Sequence, residues 1–264
     1  MSLHSSIFRS MEFLSYNFRA RGLHQIHSPF LFELYQNVIL QNSAYYSYSK
    51  IENLRIQLLA SKEMIEIEDF GTGAMTNREK KISVASIANH HIKSSKYGQV
   101  LFRLINYFKS ENILELGTSL GITTLYLATP NPKSKVVTLE GSNNTSKIAE
   151  ENFRILQVNN IEIKKGEFSI TLPNAINEFT QLDFVFFDGN HLKKPTFDYF
   201  NQCLSKHHEK SIFVFDDIYH SPEMKSAWNE IKNHPSVTLS LDLFSLGIIF
   251  FRKELRKQTI ILRY

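Results

Sequence analysis

Cysteine is nearly absent from this sequence, because Cys203 is the only one among 264 residues. A single cysteine forms neither an internal disulfide nor a Cys-x-x-Cys metal site, so nothing indicates an oxidising compartment. Long apolar runs are also lacking, and the first residues do not contain the continuous apolar stretch of a secretory signal. We therefore expect a cytoplasmic protein without a membrane segment.

Charge of one sign is also scarce. The 30 Lys and Arg residues against 26 Asp and Glu leave a formal net charge of +4, spread along the chain except for a basic C-terminal end. This excess is too small to favour a nucleic-acid partner. The 42% of hydrophobic residues are enough for a full core, and the length suits one large α/β domain with an added segment.

From residue 112 onward, short apolar runs alternate with helical patterns, which is typical of βαβ units around a parallel sheet. The predicted strands are 112–116, 135–140, 161–165, 183–188 and 211–216. The predicted helices lie near 121–129, 144–158, 168–178, 193–206 and 221–233. Two further strand-like runs within 236–253 are too close for a crossover helix, so we expect an antiparallel hairpin on the sheet edge.

The first 95 residues predict a helical extension, because their apolar residues have helical spacing. Within it "MIEIEDFGTGAMTNREKK" alternates like a short strand and then opens into a loop with Gly71 and Gly73, which is either a connection or a lid over a ligand. The extension is rich in aromatic residues, which either cover an apolar small molecule or lie in a homodimer interface. Examples are Phe30, Phe32, Tyr35, Tyr45 and Tyr46.

The segment "NILELGTSLGITTLYLA" predicts a strand, a turn and a helix. Gly117 and Gly121 in the turn let the backbone approach a ligand, and the helix start offers unpaired N–H groups. A dinucleotide site has the pattern G-x-G-x-x-G, but Ser119 occupies the position of its second glycine. The turn therefore predicts a ligand other than NAD.

Acidic residues follow at the ends of the next two strands. Glu140 ends the second strand, 23 positions after Gly117, where a carboxylate can accept hydrogen bonds from both hydroxyls of an adenosine ribose. Gly166 and Glu167 follow the third strand, at the edge where an adenine ring would lie. Together with Glu115 before the first turn, these positions predict a nucleoside site.

This pattern, over about residues 95 to 252, resembles the class I S-adenosylmethionine-dependent methyltransferases. The resemblance implies a Rossmann-like doubly wound sheet of seven strands, mostly parallel with an antiparallel last strand. It divides the chain into an extension (1–95), a methyltransferase domain (96–253) and a basic tail (254–264). It also implies that the cofactor S-adenosylmethionine is bound by Glu115, Gly117, Thr118, Gly121, Glu140, Gly141, Gly166, Glu167 and Asp188, with Glu140 on the ribose.

The stretches "FVFFDGNH" and "SIFVFDDIYH" place Asp188, and then Asp216 and Asp217, at the ends of two apolar strands. Carboxylates that converge repel each other, and magnesium or calcium relieves this repulsion by binding hard oxygen ligands. The arrangement is similar to the cation-dependent catechol-type O-methyltransferases, which have an Asp after the fourth strand and an Asp-Asn pair after the fifth. That family implies Asp188, Asp216 and Asp217 as metal ligands.

His191 lies where the catechol-type enzymes commonly have a lysine that takes the proton of the acceptor hydroxyl. A histidine can do this near neutral pH. The predicted activity is thus methyl transfer to an oxygen of a small molecule, with His191 as base and Asp188 beside it. Asp217 stands in place of the family's Asn, so it either strengthens a metal site or caps the following helix without a metal.

Two alternatives stay open. One is a binding module that holds the cofactor without turnover and uses its extension for a partner. The other is a nucleic-acid methyltransferase, which is disfavoured because "DGNH" replaces the Asn-Pro-Pro-Tyr-like motif of base methylation.

Overall fold

The structure is a computed structural model that describes residues 3–67 and 80–264. Its α-helices are α1 (Leu3–Arg19), α2 (Pro29–Leu34), α3 (Tyr46–Leu59), α4 (Val84–His91), α5 (Ser95–Phe108), α6 (Ile122–Ala128), α7 (Asn143–Ile155), α8 (Phe168–Asn177), α9 (Lys193–Cys203) and α10 (Pro222–Asn233). Its strands are β1 (Met64–Ile67), β2 (Lys80–Ser83), β3 (Asn112–Leu116), β4 (Lys135–Glu140), β5 (Ile161–Lys165), β6 (Phe184–Phe187), β7 (Ile212–Asp216), β8 (Leu239–Asp242), β9 (Leu246–Phe250) and β10 (Gln258–Ile261).

The chain forms two compact units. The middle unit is Asn42–Thr180, and the terminal unit combines Met1–Gln41 with Gln181–Tyr264. The predicted domain boundaries at residues 95 and 253 do not coincide with these limits and stay predictions. The short strand predicted at the start of "MIEIEDFGTGAMTNREKK" is confirmed as β1, which pairs antiparallel with β2. The loop with Gly71 and Gly73, predicted as a connection or lid, lies outside the described residues.

In the middle unit, β3, β4 and β5 are parallel, and β4 lies between the other two. Helices pack around these strands because their apolar faces interlock in one buried cluster. Phe102 of α5, Leu125 and Tyr126 of α6 and Phe153 of α7 all belong to it. The strand ends are thereby held on a rigid support.

In the terminal unit, β6 pairs parallel with β7, and β9 pairs antiparallel with β7. Every residue of β6 and β7 is buried, as expected for continuous apolar strands covered on both faces. The helix predicted near 221 begins where expected, because the Ser221 side chain accepts a hydrogen bond from the Met224 N–H and Pro222 occupies the first turn. The α/β class with mostly parallel strands is confirmed.

The predicted hairpin is confirmed as β8 and β9, which pair antiparallel. Its predicted place at the sheet edge is wrong, because β10 pairs parallel with the other side of β8. The strand β10 lies in the segment predicted as a basic tail and adds a strand beyond the seven that were predicted for the sheet. Four residues flanked by basic side chains show too little alternation to predict a strand.

Helix α1 packs within the terminal unit. The Tyr16 hydroxyl donates to the Leu262 carbonyl at 2.5 Å, and the Lys225 ammonium lies 2.6 Å from a Glu12 carboxylate oxygen. The Phe13 ring meets the Phe244 ring edge to face. Within the described parts of the chain, no helix has both the length and the apolar character required to cross a bilayer.

Candidate active site

Glu115 lies one residue before the end of β3 and is fully buried. Its Oε2 accepts hydrogen bonds from the hydroxyls of Thr124, at 2.5 Å, and Thr138, at 2.7 Å. Its Oε1 is buried and has no hydrogen-bond partner among residues 3–67 and 80–264. Burial raises the pKa of this carboxyl to about 7, although the two hydroxyls act in the opposite direction. One acceptor atom of this side chain is therefore available to a bound donor.

The turn after β3 is held in a left-handed conformation at three positions. The φ angles are +106° at Gly117, +49° at Ser119 and +82° at Gly121. Glycine adopts positive φ angles without strain, and it occupies two of these three positions, with Ser119 at the other. The predicted cofactor residue Thr118 is buried, and its hydroxyl lies 2.6 Å from that of Thr138. The turn therefore joins the ends of β3 and β4.

Glu140 ends β4, the neighbour of β3, as predicted. The backbone N–H of Ser119 donates to one of its carboxylate oxygens at 2.8 Å, and that of Ser142 donates to the other at 2.9 Å. Burial raises the pKa of the Glu140 carboxyl, while the backbone hydrogen bonds lower it. The Gly141 backbone and the Thr145 side chain also hydrogen-bond to this carboxylate and lower its pKa.

The remaining predicted cofactor residues of the middle unit surround this strand end. Gly141 is half-buried directly after Glu140, and the Gly166 N–H donates to the Glu140 carbonyl at 2.9 Å. Glu167 is exposed and precedes helix α8, where its carboxylate accepts a hydrogen bond from the Ser169 hydroxyl. The structure therefore brings the ends of β3, β4 and β5 together, with one buried, one half-buried and one exposed carboxylate, which are Glu115, Glu140 and Glu167.

The terminal unit contains a second group of predicted residues. Asp188 and His191 follow β6, and Oδ1 of Asp188 lies 3.7 Å from Nε2 of His191. Asp216 is buried at the end of β7, and Asp217 follows it with a φ of +48°. The Asp217 N–H donates to the Ser245 carbonyl at 2.8 Å, which fixes the backbone of this turn.

Two residues near Asp217 were not predicted from the sequence. His220 lies with its Nδ1 3.7 Å from Oδ2 of Asp217, and Nη2 of Arg9 lies 3.4 Å from Oδ1. The imidazole rings of His191 and His220 are stacked, with centroids 5.3 Å apart and planes inclined by 27°. The sequence does carry a signal for His220, because the pattern D-x-x-H follows both β6 and β7.

In this group, Asp188 and Asp217 each lie beside a histidine imidazole, and Asp217 also lies beside the guanidinium of Arg9. Over the described ranges, no three His, Cys, Asp or Glu side chains are grouped as a metal ion requires. Asp217 instead has the guanidinium of Arg9 beside it. The predicted magnesium or calcium site stays a prediction.

Comparison with known proteins identifies the domain. Residues 114–218 match the model of a family described as a methyltransferase domain. This range begins within β3, ends just after β7 and includes the predicted site residues from Glu115 to Asp217. The methyltransferase resemblance predicted from the sequence is confirmed, and no match supports a binding module without catalysis.

Individual relatives agree with this domain. A catechol O-methyltransferase from Niastella koreensis is 27% identical over 159 residues, which cover 59% of this chain and 69% of the relative. An O-methyltransferase from Bacillus cereus, solved in complex with SAH, has a TM-score of 0.57 at 18% identity and covers 82% of this chain and 94% of its own. The O-methyltransferase TomG from Streptomyces achromogenes, solved with SAM, has a TM-score of 0.56 at 16% identity, with 83% and 95% covered. These two likenesses show the fold.

Proposed function

We propose that this chain, a methyltransferase of the class I fold, transfers the methyl group of S-adenosylmethionine to an oxygen of a small molecule. The observation that carries the proposal is a pair of carboxylates at the carboxyl edge of two adjacent parallel strands within the methyltransferase domain, the fully buried Glu115 and the half-buried Glu140. The SAH and SAM complexes of structural neighbours support the same cofactor.

The middle unit fits this cofactor. Glu140 would accept hydrogen bonds from the two ribose hydroxyls, since its half-buried carboxylate ends β4 and is held in place by the N–H groups of Ser119 and Ser142. The buried Oε1 of Glu115 would accept from a polar group of the methionine part, which satisfies an atom that has no partner among the described residues. The turn from Gly117 to Gly121 would let the backbone approach this part of the ligand.

The acceptor that we propose is a phenolic hydroxyl, because a relative over most of the domain is named a catechol O-methyltransferase. When bound, S-adenosylmethionine supplies a methyl group on a positively charged sulfur, which leaves with the bonding electron pair as a neutral thioether. His191 would take the hydroxyl proton as the carbon–oxygen bond forms. Its Nε2 faces Asp188, so the proton would go to Nδ1, and Asp188 would stabilise the resulting imidazolium.

The test is an assay with S-adenosylmethionine and catechol, with methylated product measured by mass spectrometry. The wild-type protein should form the mono-methyl ether. His191→Ala should lower kcat by about a hundredfold or more, the usual contribution of a general base, while the Kd for S-adenosylmethionine stays within about twofold. Equal losses in kcat and in cofactor affinity would contradict the role of His191 as base.

The same assay decides the predicted divalent cation. Activity that is lost with a chelator and restored by magnesium or calcium would establish metal dependence. Activity unchanged by the chelator would remove the metal ligands Asp188, Asp216 and Asp217 from the proposal and leave the acid-base role of His191.

A further inference from the structure

We propose that helix α1 positions the catalytic base His191 through a chain of three residues, Arg9, Asp217 and His220. This inference rests on the proposed function, since it assigns a role in the same reaction to Arg9, which lies outside the range that matches the methyltransferase domain. Arg9, Asp217 and His220 are positioning residues here, because they act through His191. Helix α1 would therefore contribute to catalysis by orienting His191.

The first step is the contact between Arg9 and Asp217. Arg9 lies in α1 and Asp217 lies in the turn after β7, 208 positions away in the chain, with 3.4 Å between Nη2 and Oδ1. Both side chains are partly exposed, at 31% and 21%. A guanidinium is always protonated, so Arg9 places a permanent positive charge beside this carboxylate. The other carboxylate oxygen of Asp217 faces His220.

The second step is the orientation of the two imidazoles. Asp217 precedes His220 by three residues, as Asp188 precedes His191, and both carboxylate-to-imidazole distances are 3.7 Å. The carboxylates face different nitrogens, Nδ1 in His220 and Nε2 in His191. At 3.7 Å neither contact is a hydrogen bond, and Nδ1 of His220 has no hydrogen-bond partner among the described residues. The negative charge of each carboxylate still favours a proton on the nearer ring nitrogen, so we expect the two neutral rings in opposite tautomers.

The third step is the stacking of these rings. With centroids 5.3 Å apart and an inclination of 27°, the His220 ring restricts rotation of the His191 ring about its Cβ–Cγ bond. The turn that carries His220 is itself anchored, because the hydroxyl of Tyr219 donates to Oδ2 of the buried Asp242 at 2.5 Å. A ring held in this way keeps Nδ1 of His191 directed towards the acceptor proton.

The structure offers a matched control. Helix α1 has a second ion pair with the terminal unit, between Glu12 and Lys225 at 2.6 Å, and further contacts through Phe13 and Tyr16. Arg9→Gln and Glu12→Gln each remove one ion pair from the same helix and keep a polar side chain of similar length. The helix should stay in place in both variants because its aromatic contacts remain. Only Arg9→Gln changes the surroundings of Asp217.

The kinetic test measures kcat and KM for catechol, the Kd for S-adenosylmethionine and the melting temperature of each variant. We expect Arg9→Gln to lower kcat by about tenfold, the scale of a misdirected catalytic group, with cofactor affinity within about twofold of wild type. Arg9→Lys should recover most of the loss, since it restores the charge. Glu12→Gln should keep wild-type kcat. Equal effects of Arg9→Gln and Glu12→Gln would overturn the proposal.

A spectroscopic test separates this inference from the proposed function. Nitrogen-15 spectra of the histidine side chains, recorded at about pH 8 where ordinary imidazoles are neutral, report which ring nitrogen carries the proton. In the wild-type protein we expect the Nδ1–H form for His220 and the Nε2–H form for His191. Arg9→Gln should shift the signals of both rings, whereas Glu12→Gln should leave them in place.

The two failures are then distinct. A wild-type protein without methyl transfer to catechol, but with the expected pair of tautomers and their response to Arg9→Gln, would contradict the proposed acceptor and preserve the positioning chain. Methyl transfer with the same tautomer in both rings, or with no response of His191 to Arg9→Gln, would preserve the function and overturn the positioning chain.

Discussion

Glu115 has surroundings unlike those of an ordinary glutamate. It is fully buried, it accepts two hydroxyl hydrogen bonds on one oxygen, and the negative charge of Glu140 also raises its pKa. A buried carboxyl of this kind destabilises the fold when it is ionised, unless a ligand donates to it. The free energy of unfolding therefore depends on whether the Glu115 carboxyl is protonated.

This link predicts a pH dependence of stability. Burial raises the pKa of Glu115 to about 7 in the folded protein, against 4.5 for an ordinary glutamate, so the folded state binds more protons between these values. The free energy of unfolding should fall as pH rises from about 4.5 to about 7, by about 3 kcal/mol from this group, and level off above. Glu115→Gln has no charge to lose and should not show this loss.

The measurement is urea unfolding of the wild-type protein and Glu115→Gln at a series of pH values without cofactor. Titrating groups far from Glu115 contribute equally to both proteins, so the difference between the two curves reports Glu115 together with its coupling to Glu140. As pH rises, the free energy of unfolding of Glu115→Gln should increase relative to that of the wild-type protein. A difference that stays constant across this range would show that the carboxyl titrates alike in the folded and unfolded states.

At the scale of elements, the turn between β3 and α6 depends on Gly121. Its φ of +82° is a left-handed conformation, and a Cβ added there would lie 2.5 Å from Cε1 of Phe153 and 3.1 Å from Cβ of Ala149. Both side chains belong to α7, so this glycine sets how closely the turn approaches that helix. Glycine at this position is therefore required for packing against α7, in addition to the predicted approach of a ligand to the turn.

Gly121→Ala should lower the free energy of unfolding by about 2 to 4 kcal/mol, because left-handed strain and overpacking add. Chemical denaturation measures the change, and Gly22→Ala is the control, since nothing lies within 4 Å of a Cβ at that position. Replacing Phe153 by Leu in the Gly121→Ala background should recover part of the loss. Similar effects of the two alanine substitutions would contradict this account of the turn.

At the scale of the whole molecule, local patterns predicted the regular elements well. The strands β3 to β7 lie within one residue of their predicted bounds, because short apolar runs between turn residues identify buried parallel strands. The strand β10 was missed, since its stability comes from pairing with β8 rather than from its own four residues. The terminal unit joins both ends of the chain, and such non-local grouping leaves no signal in a single sequence.

In the site as well, local patterns predicted some residues, whereas contacts between distant parts of the chain were missed. Glu115 and Glu140 could be predicted because strand ends in a parallel sheet meet at one edge, and their position in the chain is enough to place them. Arg9 could not be predicted, because its contact with Asp217 spans 208 positions and arises from the packing of α1. His220 could have been found from the second D-x-x-H pattern, although the pattern alone does not show that the two rings stack.

The measurement that tests the central claim most directly is calorimetric titration of the protein with S-adenosylmethionine, repeated on Glu140→Gln and on Glu150→Gln. Glu150 lies on α7 and pairs with Lys165 through a half-exposed carboxylate, so it is a control for the loss of one negative charge. The account predicts binding by the wild-type protein and by Glu150→Gln, with an affinity about tenfold to a hundredfold lower in Glu140→Gln. Absence of binding to the wild-type protein, or equal binding by all three proteins, would contradict the assignment of this strand end as the cofactor site.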